Sequence, residues 1–144
     1  MIKDCTSVIQ GRKLMELGIS PSTADKCWID IAFSKNESAL YSLSWEQARE
    51  NRMTVDRFLT DLAMEKKPNS LTPSWSLTAL LELLPSEIEN ESRVYSFGMN
   101  KVGEEYQICY SDCDSHHLYS VLEDTPVNAA FKMLCLLNEI KDYN

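Results

Sequence analysis

The densest group of side chains able to do chemistry lies in the stretch CYSDCDSHH, residues 109–117. Thiolates and imidazoles are ligands that zinc prefers, and Cys113 with His116 or His117 is close enough along the chain to chelate one ion. A structural zinc site normally takes two chelating pairs, and the chain has no second Cys/His pair. We therefore predict a polar turn between two strands. A small ligand- or metal-binding domain or hydrolase using Cys113, His116 and His117 with an acidic neighbour is the alternative.

A cysteine nucleophile activated by histidine is the enzymatic interpretation of the same stretch. It needs a thiolate and an oxyanion-binding group, and an acidic neighbourhood disfavours the thiolate. The four glycines are isolated from one another, so the chain contains neither a P-loop nor a dinucleotide-binding fingerprint. Paired carboxylates such as Glu104 and Glu105 lie in acidic runs, with no apolar pocket indicated nearby. We predict no catalytic residue and no cofactor, and the balance favours a protein that is not an enzyme.

Acidic and aromatic residues are the remaining candidates for function. Residues 1–72 carry 10 basic and 10 acidic side chains, whereas residues 73–144 carry 4 and 12, so the whole net charge of −8 belongs to the second half. Such a surface repels phosphate backbones and favours a basic protein partner over direct nucleic-acid binding, with a simple solvated surface or a nucleic-acid mimic as other interpretations. Trp and Tyr suit both interfaces and cores. The interaction candidates are Trp28, Trp75, Glu87, Glu89, Glu91 and Tyr119.

Length and composition limit the class of protein. The chain has 144 residues, of which 44% are hydrophobic and 25% charged, as expected for one soluble domain with its own core. No apolar stretch approaches the ~20 residues of a membrane-spanning helix, and the N-terminus does not resemble a signal peptide. An odd, irregularly spaced set of five cysteines indicates free thiols. These features predict a cytoplasmic protein that does not bind membranes, and they make no prediction of oligomeric state.

Hydrophobic periodicity predicts the elements that position these residues in the first half. A helix is expected over 6–17, capped by Thr6 or Ser7 and ended by Gly18. Residues 27–33 alternate as a strand, with 40–43 as its partner, and further helices begin near Trp45 and Thr54. Residues 66–73 are the best candidate for a flexible loop inside a single domain spanning 1–144.

The second half combines leucine-rich helices with alternating strands. One helix is predicted over 77–84 with a cap at Ser74 or Ser76, and another runs from about 126 to 141. Between them, an acidic loop over 86–92 is followed by strands at 94–99, 106–110 and 118–122. The predicted fold is α+β, with an antiparallel sheet of three or four strands covered by the two leucine-rich helices, and additional N-terminal helices. Residues 27–33 are the candidate fourth strand.

Three segments carry a resemblance to known sequences. They are KLMELGISPSTAD at 13–25, PSWSLTALLELLP at 73–85 and DTPVNAAFKML at 124–134. In order and spacing they resemble a group of small proteins without an assigned activity from Bacteroides-type gut bacteria, their prophages and mobile elements. The resemblance implies a bacterial accessory protein and assigns no catalytic residues. Together with the acidic half, it predicts a non-enzymatic protein-interaction module.

Overall fold

The structure is a computed structural model, and it describes residues 4–30, 38–42 and 71–141. The chain divides into two compact units. The N-terminal unit comprises residues 5–79, and the C-terminal unit comprises residues 80–144 together with 1–4. The prediction of one domain over 1–144 stays a prediction, as do the helices predicted near Trp45 and Thr54, which lie outside the described residues.

The α+β class with antiparallel sheets is confirmed. The described helices are α1 (Val8–Glu16), α2 (Leu77–Leu83) and α3 (Pro126–Lys141), and a 3₁₀ turn covers Pro21–Thr23. The strands are β1 (Lys26–Asp30), β2 (Ser38–Ser42), β3 (Leu71–Ser74), β4 (Glu87–Asn90), β5 (Arg93–Val102), β6 (Glu105–Ser111) and β7 (His117–Glu123). No helix of the described residues is long and apolar enough to cross a membrane.

In the N-terminal unit, the strands of the described residues form an antiparallel sheet in the order β2-β1-β3, with β1 at its centre. The predicted pairing of β1 with the following strand is confirmed. β1 does not extend the C-terminal sheet, which corrects the proposed role of residues 27–33 as its fourth strand. The sequence predicts a flexible loop over 66–73, but from Leu71 onward the chain forms β3, which pairs with β1. Residues 66–70 lie outside the described residues.

Helix α1 is held at both ends by the residues that its sequence predicts. Ser7 accepts a hydrogen bond from the Gln10 backbone, and the Gln10 side chain accepts one from the Ser7 backbone, which forms a capping box. At the other end Gly18 has a positive φ of 89°, and Ile19 N donates to Leu14 O in a Schellman arrangement. The helix packs against β3 through Gly11, where an added Cβ would overlap Pro73 O.

In the C-terminal unit, four antiparallel strands follow one another in the order β4-β5-β6-β7, and α3 packs on β6 and β7. Register places Phe97, Tyr110 and Tyr119 in one row across the face that α3 covers, and Ile108 pairs with Val121 in the next row. Residues of the opposite face include Val94, Val102 and Leu122, all of them exposed. The sheet therefore has one face that packs on a helix at β6 and β7 and an opposite, open face that is largely exposed, apart from the buried Cys109.

Helix α3 begins as its sequence predicts. Thr125 Oγ1 accepts a hydrogen bond from Asn128 N, and Pro126 occupies the first helical position, where its missing N–H costs nothing. Val127, Ala130 and Leu134 are buried on its inner face, as their spacing indicates. Ala129 and Met133 are buried as well, so the buried stripe is wider than the periodicity predicts.

Candidate functional site

A groove of ≈ 250 Å³, lined by apolar and polar residues, lies in the C-terminal unit beside β4 and the second half of α3. Its walls come from the end of α2 and the proline that follows it, from β4, from β7 and from α3. The lining residues are Leu83, Pro85, Ile88, Glu89, Asn90, Tyr119, Leu134, Leu137, Asn138 and Ile140. The groove is smaller than the roughly 300–1,000 Å³ of sites for drug-sized ligands, so its size suits one or two inserted side chains.

Strand β4 is the outer wall of the groove, and it corrects the acidic loop predicted over 86–92. Glu and Asn are unfavourable strand residues, which is why the sequence reads as a loop. The strand forms because β5 pairs with it through a two-residue turn, in which Glu91 and Ser92 have positive φ angles of 50° and 66°. These angles are those of the type I′ turn that suits the twist of a hairpin.

The inner wall of the groove is fixed by a buried tyrosine. Tyr110 is completely buried, packs edge-to-face against Phe97 with ring centroids 5.8 Å apart, and donates a 2.7 Å hydrogen bond to Pro85 O. Burial raises the pKa of Tyr110 to about 12. The phenol therefore stays protonated at neutral pH and acts as the donor that positions the chain where α2 ends.

The structure brings two of the six predicted interaction residues to the groove. Glu89 and Tyr119 both line it, Tyr119 half-buried and Glu89 exposed. Glu87 and Glu91 are exposed on the same strand and on its turn. Glu87, Glu89 and Glu91 thus form an acidic edge on β4 and its turn, and this name is used for them below. β4 walls the groove, while the side chains of Glu87 and Glu89 lie on the other face of the strand from Ile88.

The two tryptophan candidates belong to the N-terminal unit, where both indoles are hydrogen-bonded. Trp75 is completely buried, and its Nε1 donates to Thr23 Oγ1 at 2.9 Å. Trp75 is therefore a core residue, which corrects its prediction as a residue of an interaction surface. Trp28 is half-buried, and its Nε1 donates to Thr6 O at 2.9 Å. The backbone N–H of Trp75 donates a hydrogen bond to Thr6 Oγ1 at 3.0 Å. These residues join the chain before α1 to β1 and the start of α2.

The alternative site around the cysteine and histidines is a hairpin loop. Among the described residues, the set of metal-ligand types whose ligand atoms lie within 4.8 Å of one another is Asp112, Asp114 and His116. Cys113 is exposed in the turn, and His117 begins β7. The predicted trio of Cys113, His116 and His117 is therefore not assembled as one ligand set.

The Asp112 carboxylate stabilises that loop through hydrogen bonds and an ion pair. Its Oδ1 accepts hydrogen bonds from Asp114 N at 3.0 Å and His116 N at 2.8 Å, and its Oδ2 pairs with the Arg93 guanidinium at 3.1 Å. The pKa of Asp112 is lowered first by the hydrogen bond from the His116 backbone, and desolvation opposes this effect. The backbone of Asp114 and the side chain of Arg93 lower it further. Ser115 takes a left-handed φ of 64° to close the turn. The arrangement is that of an Asx turn, which confirms the polar turn between strands.

The apolar residues of the groove were missed by the sequence analysis. They lie on β4, between acidic residues, and on α3. Ile88 stands between Glu87 and Glu89, and the period-2 alternation of that short segment is the signal that could have revealed a strand. Leu137 and Ile140 continue the apolar spacing of α3, and both line the groove. Periodicity shows which face of a helix is apolar and cannot show where the opposing layer ends.

No family model, curated protein or solved structure matches the chain. The resemblance to small proteins of Bacteroides-type bacteria and their prophages stays a prediction.

Proposed function

We propose that this chain is a non-enzymatic protein-interaction module of a bacterial accessory or mobile-element gene. It binds a basic protein partner through the groove and the acidic edge of its C-terminal unit. The observation that carries the proposal is that β4, the strand that bears the acidic edge, forms one wall of the groove that Tyr119 lines. Glu89 and Tyr119 were singled out independently, one for charge and one for aromatic character.

The groove and its edge supply the two components that protein interfaces combine. An apolar anchor in a desolvated pocket contributes most of the affinity, and rim charges contribute encounter rate and choice of partner. The C-terminal unit carries 12 acidic and 4 basic side chains between residues 80 and 144, so its field attracts a basic partner. A partner segment with one large apolar side chain flanked by Lys or Arg matches this surface.

The alternative, a small ligand- or metal-binding domain or hydrolase at Cys113, His116 and His117, has weaker support. The carboxylate at the centre of that loop is already occupied by two backbone N–H groups and the Arg93 guanidinium. Cys113 is exposed and lies outside the set of neighbouring ligand atoms.

The test is a pull-down with three forms of the tagged protein: wild type, Ile140→Arg in the groove, and Leu122→Arg on the open face. Both variants add the same charge, and Leu122 is 45% exposed and outside the groove. A partner protein should bind wild type and Leu122→Arg at low salt, and this binding should survive nuclease treatment. Ile140→Arg should lose the partner. Binding should weaken at high salt, because screening shortens the range of charge attraction. No bound protein at either salt, or equal binding to all three forms, would overturn the proposal.

A further inference from the structure

The backbone of β4 offers hydrogen-bonding groups on its outer side. β4 is the first strand in the order β4-β5-β6-β7, so among the described residues it has a strand neighbour only on the β5 side. A strand in that position presents a row of backbone N–H and C=O groups that an added strand can pair with.

The register identifies which groups point outward. Phe97 N donates to Ser86 O at 2.9 Å, so residues 86 and 97 form a hydrogen-bonded pair. Such pairs alternate with non-bonded pairs in an antiparallel ladder. Ile88 with Tyr95 is therefore a bonded pair, whereas Glu87 opposite Ser96 and Glu89 opposite Val94 are non-bonded pairs. The N–H and C=O groups of Glu87 and Glu89 consequently point away from β5.

Side-chain alternation then defines what an added strand must carry. Glu87 and Glu89 share the open face of the sheet, while Ile88 lies between them on the face of the groove. A residue paired beside either glutamate places its side chain next to a carboxylate, and opposite charges at such cross-strand positions attract. The residue between them points to the groove side and is best apolar.

We propose that the partner binds by adding an extended strand to β4, and that this strand alternates basic and apolar residues. The proposal rests on the proposed function and specifies its binding mode. Charge complementarity selects a basic segment, and the exposed glutamates discourage pairing of β4 with a second copy of the same acidic strand.

The test uses a capped heptapeptide in which lysine alternates with valine, and a control peptide of the same composition with the lysines and valines in separate blocks. In NMR titrations, the alternating peptide should bind more tightly and should slow hydrogen exchange of the Glu87 and Glu89 amides. The amides of Ile88 and Asn90 should change little, because they already pair with β5.

Two matched variants separate the backbone from the charge. Glu89→Pro removes the outward N–H, and an edge position whose N–H faces outward tolerates proline. Glu89→Gln removes the same charge and keeps the N–H. Glu89→Pro should weaken peptide binding about tenfold relative to Glu89→Gln, since a strand contact is lost along with its hydrogen bond.

The failure of strand addition is distinguishable from failure of the proposed function. Equal affinity of the alternating and block peptides, or of the two Glu89 variants, or unchanged exchange of the Glu87 and Glu89 amides in the bound state, would overturn strand addition. The proposed function would still stand if the pull-down partner is lost with Ile140→Arg and retained with Leu122→Arg.

Discussion

Individual polar contacts decide how the groove is positioned. The hydroxyl of Tyr110 is the donor to Pro85 O, and Pro85 is part of the groove wall. The aromatic ring of Tyr110 contributes independently of the hydroxyl, because its edge-to-face contact with Phe97 and its burial do not need the hydroxyl. One substitution can therefore separate the two contributions.

Tyr110→Phe should lower the free energy of unfolding by about 1 kcal/mol, because it keeps the ring and removes the donor to a partly buried carbonyl. Denaturant titration of wild type and variant measures the difference. Tyr106→Phe is the matched control, since Tyr106 is half-buried with Lys101 Nζ 5.7 Å from its ring centroid, and removing its hydroxyl should change stability by less than about 0.5 kcal/mol. Equal stability of Tyr110→Phe and wild type would contradict the positioning role.

Cys27 illustrates how burial affects a thiol in the N-terminal unit. Cys27 is completely buried on β1, and burial raises its pKa to about 11, although a backbone hydrogen bond from Thr72 acts in the opposite direction. The thiol is therefore protonated at neutral pH and behaves as a small hydrophobic side chain. Cys27 is a free thiol, as the irregular cysteine spacing predicts.

At the scale of elements, α1 and β3 approach each other closely at a glycine. Gly11 is buried, and an added Cβ would overlap Pro73 O and lie 3.1 Å from Thr72 Cγ2. Glycine in a helix is ordinarily about 1 kcal/mol less stable than alanine, so this glycine is explained by packing alone.

Gly11→Ala should lower the free energy of unfolding by about 1–3 kcal/mol, because the backbone of β3 must move and the loss exceeds the gain in helix propensity. Thermal or chemical denaturation of wild type and variant shows whether the free energy of unfolding falls or rises. Gly98→Ala is the control, since a Cβ there meets Cys109 Sγ at an ordinary 3.6 Å. A more stable Gly11→Ala variant would mean that α1 and β3 are not in this close contact.

The hairpin loop between β6 and β7 depends on a charged acceptor. The Asp112 side chain is only 4% exposed within its own loop, although the loop stands at the surface of the unit. The folded state lowers the pKa of Asp112, so its ionised form contributes stability above the unfolded-state pKa, and that contribution is lost as pH falls through the folded-state pKa.

Asp112→Asn should therefore be less stable than wild type at neutral pH, and the difference should shrink as the pH falls below the ordinary aspartate range. Urea titrations between neutral and strongly acidic pH measure this difference. Asp112→Ala, which also loses the acceptor for the two backbone N–H groups, should remain less stable than Asp112→Asn throughout. A difference between wild type and Asp112→Asn that is constant over the acidic range would contradict the role of the charge.

At the scale of the whole molecule, acidity and the groove coincide in one unit. The excess of acidic residues predicted from the second half belongs to the C-terminal unit, and the groove lies there as well. The N-terminal unit carries Trp28 and Trp75 in a hydrogen-bonded arrangement around Thr6 and Thr23. The six sequence-predicted interaction residues thus separate into four in the C-terminal unit and a pair of hydrogen-bonded tryptophans in the N-terminal unit.

Local signals in the sequence were sufficient for most element types. The caps at Ser7 and Thr125, the Schellman glycine at Gly18 and the start of α3 at Pro126 follow from short-range chemistry, because each depends on residues within one turn of the helix end. Alternation also predicted β5, β6 and β7, of which β6 and β7 pack against α3.

Tertiary structure decided what no local pattern contains. β4 exists because β5 pairs with it, and Glu87 and Glu89 would otherwise favour a loop. The assignment of β1 and β3 to a separate sheet, the burial of Trp75 and the groove at Tyr119 all depend on contacts between residues far apart in sequence. The sequence by itself determined the α+β class, the caps and the acidic half, since these depend on neighbours or on composition. Strand partners and the groove were decided only by packing, because pairing energies depend on which distant surfaces meet.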